Sequence, residues 1–162
     1  MEAIFGYLIN IITFGWKKRR EADIELFRKL YSELEFNSDS ATLLREHDFS
    51  NGFQFKYLQQ LNYIAEYWLY ENIKFHSWLV ERRKNKFIEN LNKFINELSL
   101  HTGMDHGGLI SIGLHEASKK EKGRKKKAAK TINKLSIKAY KSYERFVTTN
   151  NRTATLREKQ SV

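Results

Sequence analysis

KAAKTINKLSIKAYKSYERFV, residues 127–147, is the stretch on which the reading of the fold turns. At about 100° per residue, Lys127, Lys130, Lys134, Lys138, Lys141 and Arg145 fall within one arc of roughly 80°. Ala128, Ile132, Leu135, Ala139, Tyr143 and Phe146 fall on the opposite side. A period near 3.6 residues with a cationic and an apolar side predicts an amphipathic helix that packs on one face and presents charge on the other. A strand would alternate every second residue, and this stretch does not.

The same period runs back through the chain. Ile73, Val80, Phe87, Leu91, Phe94 and Leu98 mark the buried stripe of a long central helix expected over 71–100. Tyr57, Leu58, Leu61, Ile64, Ala65 and Trp68 do the same for a helix over 53–68. Ile24, Phe27, Leu30, Tyr31 and Leu34 serve one over 21–36. Asn37-Ser38-Asp39-Ser40 offers turn chemistry and an N-cap for a short helix from Ala41 to Glu46. Proline is absent and there are only eight glycines, so the usual punctuation of all-β folds is missing. The expectation is a single all-α bundle of about five helices, its core drawn from residues 24–100 and 128–147. A chain of 162 residues with 41% hydrophobic side chains can bury such a core.

Two stretches interrupt the pattern. His101 to Gly113 holds four of the eight glycines and reads as a loop. The segment 148–162 is polar and reads as a disordered tail, which leaves 21–147 as the bundle. Between loop and final helix lies the lysine run 119–127, expected to become helical near Arg124.

Charge is distributed unevenly. Residues 1–100 carry 14 Lys/Arg and 14 Asp/Glu, whereas residues 101–162 carry 15 Lys/Arg against 5 Asp/Glu, so the net +10 belongs to the last third. A local basic block calls for an acidic partner or surface. Counterion release at nucleic-acid phosphates and attraction to an anionic leaflet both suit it, and so does plain solvation. The face is nearly all lysine, and its nearest aromatics, Tyr143 and Phe146, fall on the packed side. Base readout favours Arg, Asn and Gln, and single-strand binding needs exposed aromatics. The membrane surface is therefore preferred, with nucleic acid and a protein partner as alternatives.

The N-terminus, 1–20, adds a second signal. Ile4, Phe5, Leu8, Ile11, Ile12 and Trp16 form a wide apolar arc, and Lys17, Lys18, Arg19 and Arg20 follow at once. At 14 residues the apolar run Ala3–Trp16 falls short of the ~20 a spanning helix needs. Its basic cluster follows the apolar run, the reverse of a signal peptide. It fits a helix lying in a membrane interface, and equally a helix packed into the bundle or against a partner. A cytoplasmic protein, peripheral at the inner face of the membrane, is the expected setting.

No residue pattern identifies an enzyme. Cysteine is absent, which excludes disulfides and thiolate metal sites. Glu46, His47 and Asp48 lie next to one another without a nucleophile at a recognisable spacing, and capping or ion pairing is expected of them. His101, Asp105, His106 and His115 match no common zinc spacing, and Gly107-Gly108 lacks the pattern of a phosphate loop. No catalytic, cofactor or metal site is expected.

Leu44-Arg45-Glu46-His47-Asp48-Phe49, followed by Phe53, resembles the central signature of small helical bacterial proteins of unassigned function. The likeness extends over residues 1–147, through the apolar N-terminus with basic residues, the long middle helix, the irregular loop and the last amphipathic helix. The glycine-rich 103–113 loop and the lysine excess of 119–145 depart from that pattern. The resemblance implies an all-α fold and a bacterial source, and no activity.

Overall fold

The structure is a computed structural model describing residues 2–158 apart from 71–72, 105–106 and 115–116, with side chains described from Gly15 to Arg152. It is an all-α bundle with a small sheet at one side. In chain order the elements are α1 (Glu2–Glu33), α2 (Asp39–Glu46), β1 (Phe53–Gln54), α3 (Phe55–Tyr67), α4 (Trp78–His101), β2 (Gly103–Met104), β3 (Leu109–Ser111) and α5 (Lys119–Glu158).

The hydrophobic stripes read from the sequence converge on one core. Phe27 and Leu30 of α1 with Leu34 just after it, Leu61 and Ile64 of α3, Phe87, Leu91 and Phe94 of α4, and Ile132, Ala139, Tyr143 and Phe146 of α5 are all buried in it. Its centre is aromatic. Phe146 meets Phe27 edge-on at 5.6 Å and Phe75 at 5.8 Å, and Phe87 lies 5.2 Å from Tyr143. The Tyr143 hydroxyl donates to the Leu34 carbonyl, so the one polar atom of that ring is satisfied where α1 ends. Burial pushes the Tyr143 phenol well above its ordinary pKa.

Helix boundaries follow local chemistry where partners allow. Ser38 caps α2 through its side chain, which accepts from the Ala41 amide at 3.3 Å. At the head of α5 the Glu121 carboxylate reaches back to Ser118 as in one half of a capping box, accepting from the Ser118 amide at 3.1 Å and from its hydroxyl at 2.6 Å. That contact starts α5 at Lys119, earlier than the expected onset near Arg124.

Four other expectations are corrected. First, no helix boundary falls at residue 20. Lys17–Arg20 are good helix formers, and α1 runs through them without a break. Second, α4 begins at Trp78 rather than near residue 71. Ile73, Phe75, His76 and Ser77 instead satisfy their backbone groups with side chains: Asp23 accepts from the His76 and Ser77 amides at 2.7 and 2.9 Å, Glu81 accepts from Phe75 at 2.9 Å, and the Lys84 ammonium donates to the Ile73 carbonyl. Lys84 is 2% exposed, and burial lowers its pKa against the raising effect of Glu81 at 3.1 Å.

Third, the 101–113 loop holds two strands. β1, β3 and β2 form an antiparallel sheet in that order, with Phe53 opposite Ile110 and Met104 also registered on Ile110. Gly108 takes φ +74°, the left-handed turn that lets β3 follow, and Ile110 and Ile112 then drop into the core. Fourth, α5 continues to Glu158 instead of giving way to a disordered tail at 148. Asn150 is buried one turn beyond Phe146 and Val147, so the packed stripe carries the helix past the apolar residues. Residues 159–162 lie outside the described residues.

Candidate anion-binding face

The cation face of α5 is set by what lies behind it. Ala128, Ile132, Ala139, Tyr143 and Phe146 are buried and Leu135 is half-buried against the core, which fixes the rotation of the helix. Lys127, Lys130, Lys134, Lys138, Lys141 and Arg145 are consequently all exposed. Among the described residues none of the six forms an ion pair.

The neighbouring helix adds a wall that the sequence reading did not find. α4 and α5 share the most extensive helix–helix interface of the bundle. They run antiparallel, with Phe75 against Phe146 and Phe87 against Tyr143. Between them lies a groove of about 380 Å³ lined by Arg83, Lys86 and Asn90 of α4 and by Lys134, Ile137, Lys138, Lys141, Ser142 and Arg145 of α5. Arg83, Lys86 and Asn90 recur at the spacings of three and four that place residues on one helix face. Lys134, Lys138, Lys141 and Arg145 do the same across the groove. The α4 stripe is legible in the sequence once its partner helix is known, since it lies beside the apolar stripe that identified the helix.

The groove's polar groups are not equivalent. Lys86 is drawn to Glu89 at 2.6 Å, and Lys86 and Lys93 together hold the Glu89 carboxyl down to about 2. Ser142 donates back to the Ala139 carbonyl at 2.7 Å and is occupied within its own helix. Asn90 is 4% exposed, and its Oδ1 is the one buried side-chain oxygen or nitrogen among the described residues that has no hydrogen-bond partner. Such an acceptor is costly to bury unmatched.

At the N-terminal end of the chain, Trp16 is 73% exposed and Lys17, Lys18 and Arg19 are exposed beside it, while Arg20 is half-buried. No residue described between Gly15 and Glu25 is buried, so this stretch of α1 lies outside the core, which Leu26 flanks and Phe27 enters. Ile4, Phe5, Leu8, Ile11 and Ile12 belong to α1, but their side chains lie outside the described residues. Asp23, holding the His76 and Ser77 amides, brings the start of α4 against α1. There Trp78 is 69% exposed with the Arg82 guanidinium 5.3 Å from its ring, and Leu79 is exposed next to it. Trp78 escaped the sequence reading because it stands off the α4 stripe.

The remaining candidates that the structure describes make contacts within the chain. Asn133 of α5 clamps the loop after α2: its Oδ1 accepts from the Phe49 amide at 2.9 Å and its Nδ2 donates to Asp48 at 2.9 Å. Asp48 also accepts from the Ser50 amide at 3.0 Å, and these bonds, Asn133 first, hold its carboxyl down to about 2. Glu46 pairs with Arg45 at 2.7 Å, and Arg45 lies over the Tyr140 ring. His47 packs its ring against Phe49 and Phe53 and faces the Asn51 carbonyl at 3.3 Å. Glu46 and His47 line an open cleft of about 450 Å³ with Asp39, Phe53 and Tyr57. His101 pairs with Glu97 at 3.2 Å on α4. Asp105, His106 and His115 lie outside the described residues, among which no group of three metal-ligating side chains occurs.

No helix among the described residues is long and apolar enough to cross a membrane. No family model, curated protein or solved structure matches the chain.

Proposed function

We propose that this chain is a non-enzymatic accessory protein that docks on an anionic membrane surface, at the cytoplasmic face. The observation that carries the reading is the pairing of exposed Trp16 and Lys17–Arg19, outside the core, with the locked cation face of α5. Stable attachment to a membrane generally takes an apolar and a basic signal together, and the two stretches supply one of each. Trp78 and Leu79 enlarge the apolar signal, and a tryptophan beside an arginine suits the headgroup level, where rings and cations mix. Ile4, Phe5, Leu8, Ile11 and Ile12 would enter the interface ahead of Trp16.

Each lysine near an anionic leaflet contributes about 1 kcal/mol. Replacing Lys134, Lys138 and Lys141 by Gln should therefore lower partitioning of the full chain onto anionic vesicles by about 100-fold. Co-sedimentation with and without salt measures it, and negligible pelleting of the wild-type chain at low ionic strength refutes the reading.

A second reading, nucleic-acid binding, draws on the cations of both groove walls, Arg83 included. Against it, Tyr143 and Phe146 are buried and Tyr140 is engaged by Arg45, so the groove offers no ring for a base to stack on. A salt-sensitive mobility shift with random single strands, in a chain that ignores vesicles, would put it first.

A further inference from the structure

We propose that the α4–α5 groove is a discrete site for a compact condensed phosphate, two or more phosphoryl groups joined in one small ligand or headgroup. The inference deepens the membrane reading, and for a lipid source of the ligand it rests on that reading. A lysine face on a single helix attracts any anion diffusely, because an ammonium is a point charge without directional demand. The groove adds a second wall: Arg83 and Lys86 of α4 stand across from Lys134, Lys138, Lys141 and Arg145 of α5.

Helix packing shows where the walls concentrate their charge. Phe87 and Tyr143 lie 5.2 Å apart in the antiparallel pair, which sets the two helices level at those residues. Arg83 and Lys86 precede Phe87, and Lys141 and Arg145 bracket Tyr143. At ~1.5 Å per residue, these four cations fall within about 9 Å along the helix axes. Lys138 and Lys134 continue the row. All six are exposed, no carboxylate lines the groove, and among the described residues Lys86 alone has a carboxylate partner, Glu89.

A cleft lined by one sign of charge focuses its field on whatever lies inside. The single charge of a phosphodiester headgroup offsets one of the six cations. Phosphoryl groups in series bring several charges into the same space, so one ligand is met from both walls. Arg83 and Arg145 add the planar fork that takes two oxygens of one phosphate. At about 380 Å³ the groove falls at the small end of ligand sites, which suits a short phosphate chain rather than a polymer.

Free polyphosphate and a lipid with a pyrophosphate headgroup share this chemistry, and two arms of one experiment on the full chain separate them. The first arm is calorimetric titration with sodium tripolyphosphate and with orthophosphate at fixed ionic strength. The wild type should bind one tripolyphosphate saturably, about 30-fold more tightly than orthophosphate, the effect of two further cation contacts. Arg83→Gln with Lys86→Gln should lower tripolyphosphate affinity by about 30-fold. Lys122→Gln with Lys126→Gln removes the same charge from exposed positions of α5 outside the groove, and should lower it by less than about threefold through screened attraction alone. Equal losses in the two pairs, or no saturable binding by the wild type, overturn the groove site. A random oligonucleotide that displaces tripolyphosphate at a lower phosphate concentration overturns the compact ligand in favour of a nucleic-acid strand.

In the second arm, vesicles carry diacylglycerol pyrophosphate or phosphatidylglycerol at equal total headgroup charge. Preference for the pyrophosphate lipid, lost in Arg83→Gln with Lys86→Gln, assigns the groove a membrane ligand. Equal binding of the two lipids beside an intact tripolyphosphate site assigns it a free one, and docking on the surface stands. Failure of the wild type to bind either vesicle sinks the docking reading, while the first arm decides the groove by itself.

Discussion

Asn133 and Asn90 carry the same amide in two regions of the α5 surroundings, and they are treated in opposite ways. Asn133 uses both ends within the chain, taking the Phe49 amide and giving to Asp48. Asn90 is more deeply buried, yet its oxygen has no partner. Around Asn133 the charges are also matched at home, Arg45 to Glu46 and to the ring of Tyr140. Around Asn90 stand six cations, of which only Lys86 is paired among the described residues. A buried amide satisfied inside the chain holds a loop in place. One left unmatched beneath a row of cations marks where the chain has not completed its own bonding. The clamp side of α5 is therefore read as structure, and the groove side as a place for something else.

The contrast breaks if changes on the two sides act alike. The largest effect is expected behind both, where Phe146→Ala empties the aromatic centre shared by Phe27, Trp68 and Phe75. It should lower unfolding free energy by about 3–5 kcal/mol, measured by urea denaturation.

Next comes the clamp. Asn133→Ala strands the Phe49 amide and should cost about 1–3 kcal/mol by the same measurement. It also has a signature in acid. Asp48 is held down to about 2 from an ordinary 3.8, so its ionised form stabilises the fold above pH ~4, and that contribution is lost as pH falls through 2. With the leading cause of the shift removed, the acid loss between pH ~4 and ~2 should shrink in Asn133→Ala. An unchanged pH profile would show that the clamp does not set the Asp48 titration.

The smallest effect belongs to the groove. Lys134, Lys138 and Lys141 replaced together by Gln should move stability by no more than about 0.5 kcal/mol per site, and upward if repulsion dominates. A loss as large as that of Asn133→Ala would mean that these lysines hold the fold, and the comparison would fail.

The legible parts of the site are those that one helix specifies alone. The α5 lysine arc followed from spacing, and every one of its six cations is exposed where the spacing put it. The Ser118-x-x-Glu121 contact was equally local and could have placed the start of α5 at Lys119. Arg83, Lys86 and Asn90 were not legible as a site. Their meaning depends on which helix lies beside α4, and periodicity gives the buried face of a helix without naming its neighbour. Trp78 shows the same limit, since it owes its place near the basic stretch of α1 to the Asp23 bonds to His76 and Ser77.

By itself, the sequence determined that this chain is a helical bundle, which faces of its helices are apolar, and that its surplus charge lies along one side of the last helix. Those properties depend on residue types a few positions apart, where backbone geometry alone sets the relation. Tertiary structure decided the rest: that residues 73–77 give up helix for bonds to Asp23, Glu81 and Lys84, that the glycine-rich loop closes into a sheet on β1, and that a row of lysines faces a second cationic stripe across a groove with an unmatched acceptor. Each of these brings together groups far apart in the chain, and the energy of such contacts outweighs local preference only once the core has fixed where the elements lie.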